Sequence, residues 1–535
     1  MRTLMVFSLL GVVFCRAAFG APVVSNTVSQ SKESGVVPRT TTRERELVLE
    51  KRYLHFPVKN VSKKSVKSRV AVLLDGRIVR EFEADLTDQP DWFAHLDVSA
   101  WQGRKATVRV ENPPENSRSL ELVMQTDSIW EAEKVYQEPL RAQLHFSPRR
   151  GWNNDPNGLV FADGEYHLYF QHNPYGWSWG NMHWGHAVSR DLVHWVELPI
   201  AIYPFKFGDW AFSGSAIVDA RNTSGWKQGD NELIVAAYTS TGRGECIVYS
   251  NDRGRSFQEY AGNPVINHVG RDPRLLWYAP GQHWVMAVYD EFEKERCIAF
   301  YTSPDLKTWT FQSRIAGFYE CPDLFELSGQ WVLTAANGDY MIGQFDGKRF
   351  TPQTPKLKGH LGKGFYAAQT FSHEPKGRVV QIGWLQVATP GMPFNQAMSL
   401  PLELKLRQTP EGPRLTWTPV EELKTLRIGP ATSGELLEVR AECDADLTLT
   451  VRGAIIRYDA AKQELIVNNH RAPAPLVDGR QRLIIYVDRT VLEIFASDGL
   501  TYVPMPFTPS TKNQSIAVTS GKPLSLEAWK LKSIW

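Results

Sequence analysis

Three acidic residues stand out by their surroundings. Asp155 lies in Trp152-Asn153-Asn154-Asp155-Pro156-Asn157-Gly158, Asp272 in Arg271-Asp272-Pro273, and Glu320 in Tyr319-Glu320-Cys321-Pro322-Asp323. Each is set among aromatic residues or proline, which stiffens the backbone around it. Three carboxylates and one guanidinium gathered in one place are what glycosidic bond cleavage requires. One acid protonates the leaving oxygen, and a second carboxylate attacks or activates water. The third can hold sugar hydroxyls as the ring flattens. Cys321 is no candidate nucleophile, because no His stands near it in sequence. In a regular strand its side chain would also point away from that of Glu320.

The rest of the chain must bring these side chains together. The density of Asn, Asp, Pro and Gly over 152–158 predicts a tight turn. Leu159-Val160-Phe161 and Tyr166 to Phe170 would then form a hairpin, with Asp155 at the strand mouth. Further on, Ser189-Arg190-Asp191-Leu192-Val193-His194-Trp195 returns as Ser303-Pro304-Asp305-Leu306-Lys307-Thr308-Trp309, and more weakly as Ser250 to Phe257. Aromatic-rich strands precede each copy. A fourth unit runs from Trp331 to Phe350, and a fifth includes Val379 to Trp384. Repeats of roughly 50–60 residues, each a few strands ending in an aspartate turn, predict propeller blades. The expected fold is all-β: a five-bladed β-propeller over 138–415, with Asp155, Asp272 and Glu320 opening different blades and converging on a central funnel.

Flanking segments carry short strands with frequent turn signals. They predict a small N-terminal β-sandwich over 46–130, in which no site is legible, and a C-terminal β-sandwich over 420–535. Arg2, the apolar run Leu4 to Cys15, and Ala17-Ala18-Phe19-Gly20 have the layout of a signal peptide over 1–20, cleaved after Gly20. Residues 21–45 read as a flexible leader, so a secreted or periplasmic location is expected. A net charge of +2 suggests neither a nucleic-acid nor a membrane-surface partner. The remaining cysteines, Cys246, Cys297, Cys321 and Cys443, have neither disulfide-framework nor metal-site spacing. His183 and His186 fall on opposite faces of a strand, which disfavours a shared metal. Gly359 to Gly364 lacks the spacing of a phosphate loop.

The blocks around Asp155, Asp272 and Glu320 resemble the signature motifs of glycoside hydrolase family 32, which includes invertases, inulinases and levanases. Phe212 to Ala216, Phe365 to Thr370, Gln381 to Trp384 and Val487 to Phe495 are similar to further blocks of that family, and Pro390 to Gln396 resembles bacterial fructan hydrolases. The resemblance implies a retaining mechanism with no metal and no cofactor, acting on a fructan or fructo-oligosaccharide. It implies Asp155 as nucleophile, Glu320 as general acid/base and Asp272 as transition-state stabiliser. Asn154, Gln171, Trp179, Ser213, Arg271 and Trp384 match positions lining the fructose subsite. One departure is His360-Leu361-Gly362-Lys363-Gly364, where many relatives carry an acidic residue.

Retention requires Asp155 and Glu320 to face one another at ~5–5.5 Å. Asp155 has to be charged and Glu320 protonated, so nearby negative charge should raise Glu320, while Arg271 should keep Asp272 ionised. Trp177 and Trp179 could form a sugar platform. Two other readings share these features: a propeller glycosidase acting on arabinan or xylan, and a sugar-binding protein without catalysis.

Overall fold

The computed structural model describes residues 41–61 and 67–535. The expected signal peptide, and the leader as far as residue 40, lie outside the described residues. Among the described residues the protein is all-β, with helix confined to short 3-10 turns. Among the described residues no helix is long and apolar enough to cross a membrane.

Five antiparallel sheets follow one another between Gly151 and Pro419. Their leading strands are Gly151–Ala162, Ala211–Val218, Arg271–Tyr278, Asp323–Leu327 and Phe365–Thr370. Each leading strand touches the next, and the fifth touches the first, so the five close a ring. Buried polar side chains tie that ring together, since unpaired polar groups there would be expensive. The Ser215 hydroxyl donates to the Pro273 carbonyl at 2.8 Å, and Gln369 Nε2 donates to the Gly214 carbonyl at 3.0 Å. Arg274 bridges Asp323 at 2.8 Å and the Thr370 carbonyl at 3.1 Å. A short strand, Phe394–Asn395, returns to pair in parallel with Gly151 and Trp152.

The aspartate repeat has a common local cause. Asp191, Asp252, Asp305 and Asp346 each follow the third strand of a sheet, and one carboxylate oxygen accepts two backbone N–H groups of the turn beyond. This Asx capping sends the chain into the fourth strand. The last strand of the fifth sheet, Gly412–Pro419, runs past the boundary expected at 415.

Before the ring, two sheets share one apolar core that includes Phe56, Val72, Trp92 and Val108. Their first strand, Thr42–Val48, takes in residues expected to belong to the leader. It is an exposed edge strand, so its sequence is polar on both faces and carries no alternation to read. After the ring, a six-stranded and a five-stranded sheet enclose a second core containing Val439, Leu449, Ile456 and Ile494. A buried ionic clamp joins this part to the ring. His145 Nδ1 lies 2.8 Å from Asp488, and Nε2 lies 3.1 Å from Glu493. Asp488 also accepts the backbone N–H groups of Gln143 and Leu144, and Glu493 accepts that of Leu400. Gly362 serves the same docking: a Cβ on it would stand 2.0 Å from the Pro504 carbonyl oxygen.

Candidate active site

The leading strands of the first, second, third and fifth sheets each slip register near their start. The slips fall between Asn153 and Pro156, Ala211 and Gly214, Arg271 and Arg274, and Tyr366 and Gln369. Such bulges leave residues without a ladder partner and re-aim their side chains. Asp155, Ser213 and Asp272 sit in three of them. The tight turn expected over 152–158 is therefore not formed; these residues belong to one twelve-residue strand. Pairing with Glu165–Asn173 overrides the local turn preference, and the bulges absorb Pro156, which has no N–H to give a ladder. Glu320 precedes the fourth leading strand. Asp272, Glu320 and Cys321 adopt φ of +68°, +33° and +45°, a backbone region that clusters at functional sites.

These deviations aim the carboxylates at one another. Asp155 Oδ2 accepts the Ser213 hydroxyl at 2.6 Å, and Oδ1 accepts Asn154 Nδ2 at 3.0 Å. Asn154 is itself held by the Trp152 indole N–H at 2.9 Å. Glu320 is gripped from both sides. Its Oε2 accepts Arg271 Nη2 at 2.6 Å and Nε at 3.1 Å, and its Oε1 accepts the Tyr366 hydroxyl at 2.5 Å. Asp272 Oδ2 accepts the Cys321 backbone N–H at 3.1 Å, and Arg271 Nε stands 3.6 Å away. The Cys321 thiol lies between the two aspartates, 3.5 Å from Asp155 and 3.4 Å from Asp272.

An open cavity of about 350 Å³ is lined by Asp155, Gln171, Trp179, Ser213, Arg271, Asp272 and Glu320, with Phe212 beside them. Asn154 and Trp384 are not among the residues that line it. Trp384 packs edge-on against Tyr366 at 6.1 Å and donates to Gln396 at 3.1 Å. Trp177 is tied instead to the Phe394 carbonyl at 3.0 Å. His186 faces His167 at 3.0 Å, whereas His183 bonds the Asn181 carbonyl at 2.7 Å. Sequence reasoning missed Tyr366 as a site residue and turned Cys321 away from the site. Tyr366 lies within the Phe365 to Thr370 block that resembles the family. Cys321 lies within the Glu320 motif too, but its direction follows from a left-handed backbone that residue type does not announce.

Burial raises Asp155, against the Ser213 and Asn154 hydrogen bonds that favour its charge, and the Glu320 charge adds to the rise. Burial, with the Glu320 charge second, pushes Asp272 up to about 8; Arg271 opposes this. The expectation that Arg271 would keep Asp272 ionised is thus overturned. Arg271 directs its short bonds to Glu320 and leaves Asp272 the longer contact. Burial and the two aspartates hold the Cys321 thiol well above its ordinary range, so it is a neutral donor and no thiolate.

The sequence profile of the glycosyl hydrolases family 32 N-terminal domain matches residues 145–419. The chain belongs to glycoside hydrolase family 32. This family 32 chain is 38% identical over 489 residues to a levanase of Bacillus subtilis, a match covering 75% of the chain and 72% of the relative. It is 30% identical over 517 residues to an extracellular exo-inulinase of Aspergillus awamori, covering 75% of the chain and 96% of the relative. The crystal structure of exo-inulinase from Aspergillus awamori superposes with a TM-score of 0.68 at 29% identity, over 75% of this chain and all of that one. The protein is accordingly a glycoside hydrolase of the β-fructofuranosidase type. The matched span contains all five sheets of the ring and the three clustered carboxylates, and the two N-terminal sheets fall outside it.

Proposed function

We propose that this family 32 enzyme is an exported fructan hydrolase that cleaves β-fructosidic bonds of levan or inulin, releasing fructose with retained configuration. The observation that carries the reading is a pair of carboxylates, each fixed by its own hydrogen-bond donors, lining one sugar-sized cavity. Asp155 is held by hydrogen-bond donors that favour its anion, and Glu320 is pinned by Arg271 and Tyr366. On this reading Asp155 attacks the anomeric carbon, while Glu320 delivers its proton to the leaving oxygen and later takes one from water. Asp272 grips ring hydroxyls, and positive charge developing on the ring draws it toward its ionised form. Gln171, Trp179, Ser213 and Arg271 shape the fructose subsite, backed by Asn154 and Trp384.

The closed ring of leading strands supports reading the five sheets as blades of a propeller. The paired sheets before and after it then form an N-terminal and a C-terminal sandwich. Export is supported by the signal-like pattern of residues 1–20 and by the extracellular exo-inulinase among the relatives.

The test is product analysis on levan, inulin, sucrose, arabinan and xylan, with the first-formed anomer followed by NMR. Fructose from levan or inulin, initially as the β-anomer, is expected. Release of arabinose or xylose without fructose, or an initial α-anomer, would overturn the substrate or the stereochemical part respectively.

A further inference from the structure

The two N-terminal sheets, outside the span matched by the family profile, contact among other places two ring segments that lead to the aromatic wall of the cavity. Trp179 is carried by residues 174–182, a connection without strand between the second and third strands of the first sheet. Such a segment has no ladder of its own to hold it. It is held in part from within the ring, where Trp177 donates to the Phe394 carbonyl and Asn395 donates to the Trp177 carbonyl at 3.1 Å, and in part from outside it. Tyr175, fully buried, belongs to the apolar core of the N-terminal unit, and its ring stacks on Phe82 at 3.7 Å with an interplanar angle of 17°. On the other side of Trp179, Asn181 accepts the Glu83 backbone N–H at 3.5 Å.

A neighbouring segment is held by the strand Arg77–Ala84, which also carries Phe82 and Glu83. Glu81 accepts the Phe207 backbone N–H at 3.1 Å, and the Arg80 guanidinium lies over the Tyr203 ring at 3.9 Å. That segment leads to Trp210, which packs edge-on against Trp179 at 5.3 Å. A third hold is made by Asn60, whose side chain donates to the Met392 carbonyl at 2.9 Å, just before the strand that closes the ring.

We propose that the N-terminal unit is a positioning module for the substrate-binding wall: through Phe82 stacked on Tyr175 it sets Trp179, and with it the fit of a fructosyl oligosaccharide. This rests on the fructan reading above. Phe82 touches no substrate. It acts on an aromatic whose placement decides how well the sugar is held, and sites are held to useful precision only by packed supporting residues.

The experiment uses the full-length enzyme and compares Phe82→Ala with Val108→Ala. Val108 lies in the same core on a strand two removed from that of Phe82. Steady-state kinetics on a fructo-oligosaccharide and thermal unfolding midpoints are read together. Phe82→Ala should raise KM about fivefold with kcat within about twofold, the equivalent of roughly 1 kcal/mol of lost aromatic contact. Val108→Ala should lower the unfolding midpoint and leave KM unchanged, and Tyr175→Phe, which keeps the stack, should match the parent. An unchanged KM in Phe82→Ala, or an equal rise in Val108→Ala, overturns the inference. If Phe82→Ala does not fold, Glu81→Ala carries the same test through the Phe207 contact, with about a twofold rise in KM expected and no change overturning it. A parent enzyme that releases no fructose refutes the activity reading; an active parent with an insensitive Phe82 refutes this one alone.

Discussion

Replacing Asp272 by Asn should stabilise the protein while nearly abolishing its activity, and the stabilisation should grow with pH. Asp272 is buried beside Asp155 and Glu320, and its carboxyl is pushed from 3.8 up to about 8. The folded protein therefore holds a proton that the unfolded chain releases above pH 3.8. Folding stability from this group is then lost as pH rises from 3.8 toward 8. For a carboxyl acting alone, the loss between pH 4 and pH 6 is about 2.5 kcal/mol. Sharing of protons within the three-carboxylate cluster reduces this to roughly 1–2 kcal/mol. Asn keeps the shape and carries no charge, so it escapes the loss, and Arg271 keeps its shorter contact with Glu320.

Scanning calorimetry of both proteins at half-unit steps from pH 4 to pH 7 provides the assay. The unfolding midpoints should nearly coincide at pH 4 and separate by about 1–2 °C above pH 6, with the Asn variant higher. Its kcat should fall by about a thousandfold or more, since a contact made in the transition state is lost. Midpoints that run parallel across the whole range, or an Asn variant that is the less stable at pH 6–7, would refute the electrostatic reasoning.

Asp155→Ala and Glu320→Ala should each lower kcat by about 10⁴-fold or more with unfolding midpoints near the parent's; substantial turnover in either purified variant would remove the two-carboxylate mechanism. Ser213→Ala removes a 2.6 Å hydrogen bond that favours the Asp155 anion, so the acidic limb of the kcat/KM–pH profile should move to higher pH. Tyr366→Phe should lower kcat/KM about 10–100-fold, because Glu320 loses its 2.5 Å donor; circular dichroism should be unchanged. His145, held up to about 9 chiefly by its hydrogen bonds to Asp488 and Glu493 acting against burial, supplies stability that is fully present below its ordinary 6.5 and is lost as pH rises through about 9. His145→Ala should lower stability by about 3–5 kcal/mol near pH 6, because two buried carboxylates lose their partner, and the deficit should shrink at pH 10.

What the residues determined by themselves was chemistry and period. Side-chain type identified Asp155, Asp272 and Glu320 as a set able to cleave a glycosidic bond, and the recurring Ser-x-Asp turns gave the strand repeat its rhythm. The aspartates of that repeat act within a few residues, so their role survives in a one-dimensional reading. Tertiary structure decided the direction of every site residue. The Trp152–Gly158 stretch looks like a turn locally and becomes a bulged strand because Glu165–Asn173 pairs with it. The Cys321 thiol enters the site because backbone held at positive φ turns it between two aspartates. Which carboxylate Arg271 serves was likewise open in the sequence, where Asp272 is its neighbour. The fold places Glu320 nearer, and the cluster's burial raises Asp272 instead of leaving it ionised. Pairing, burial and charge between distant residues are long-range quantities, and no local pattern of residues contains them.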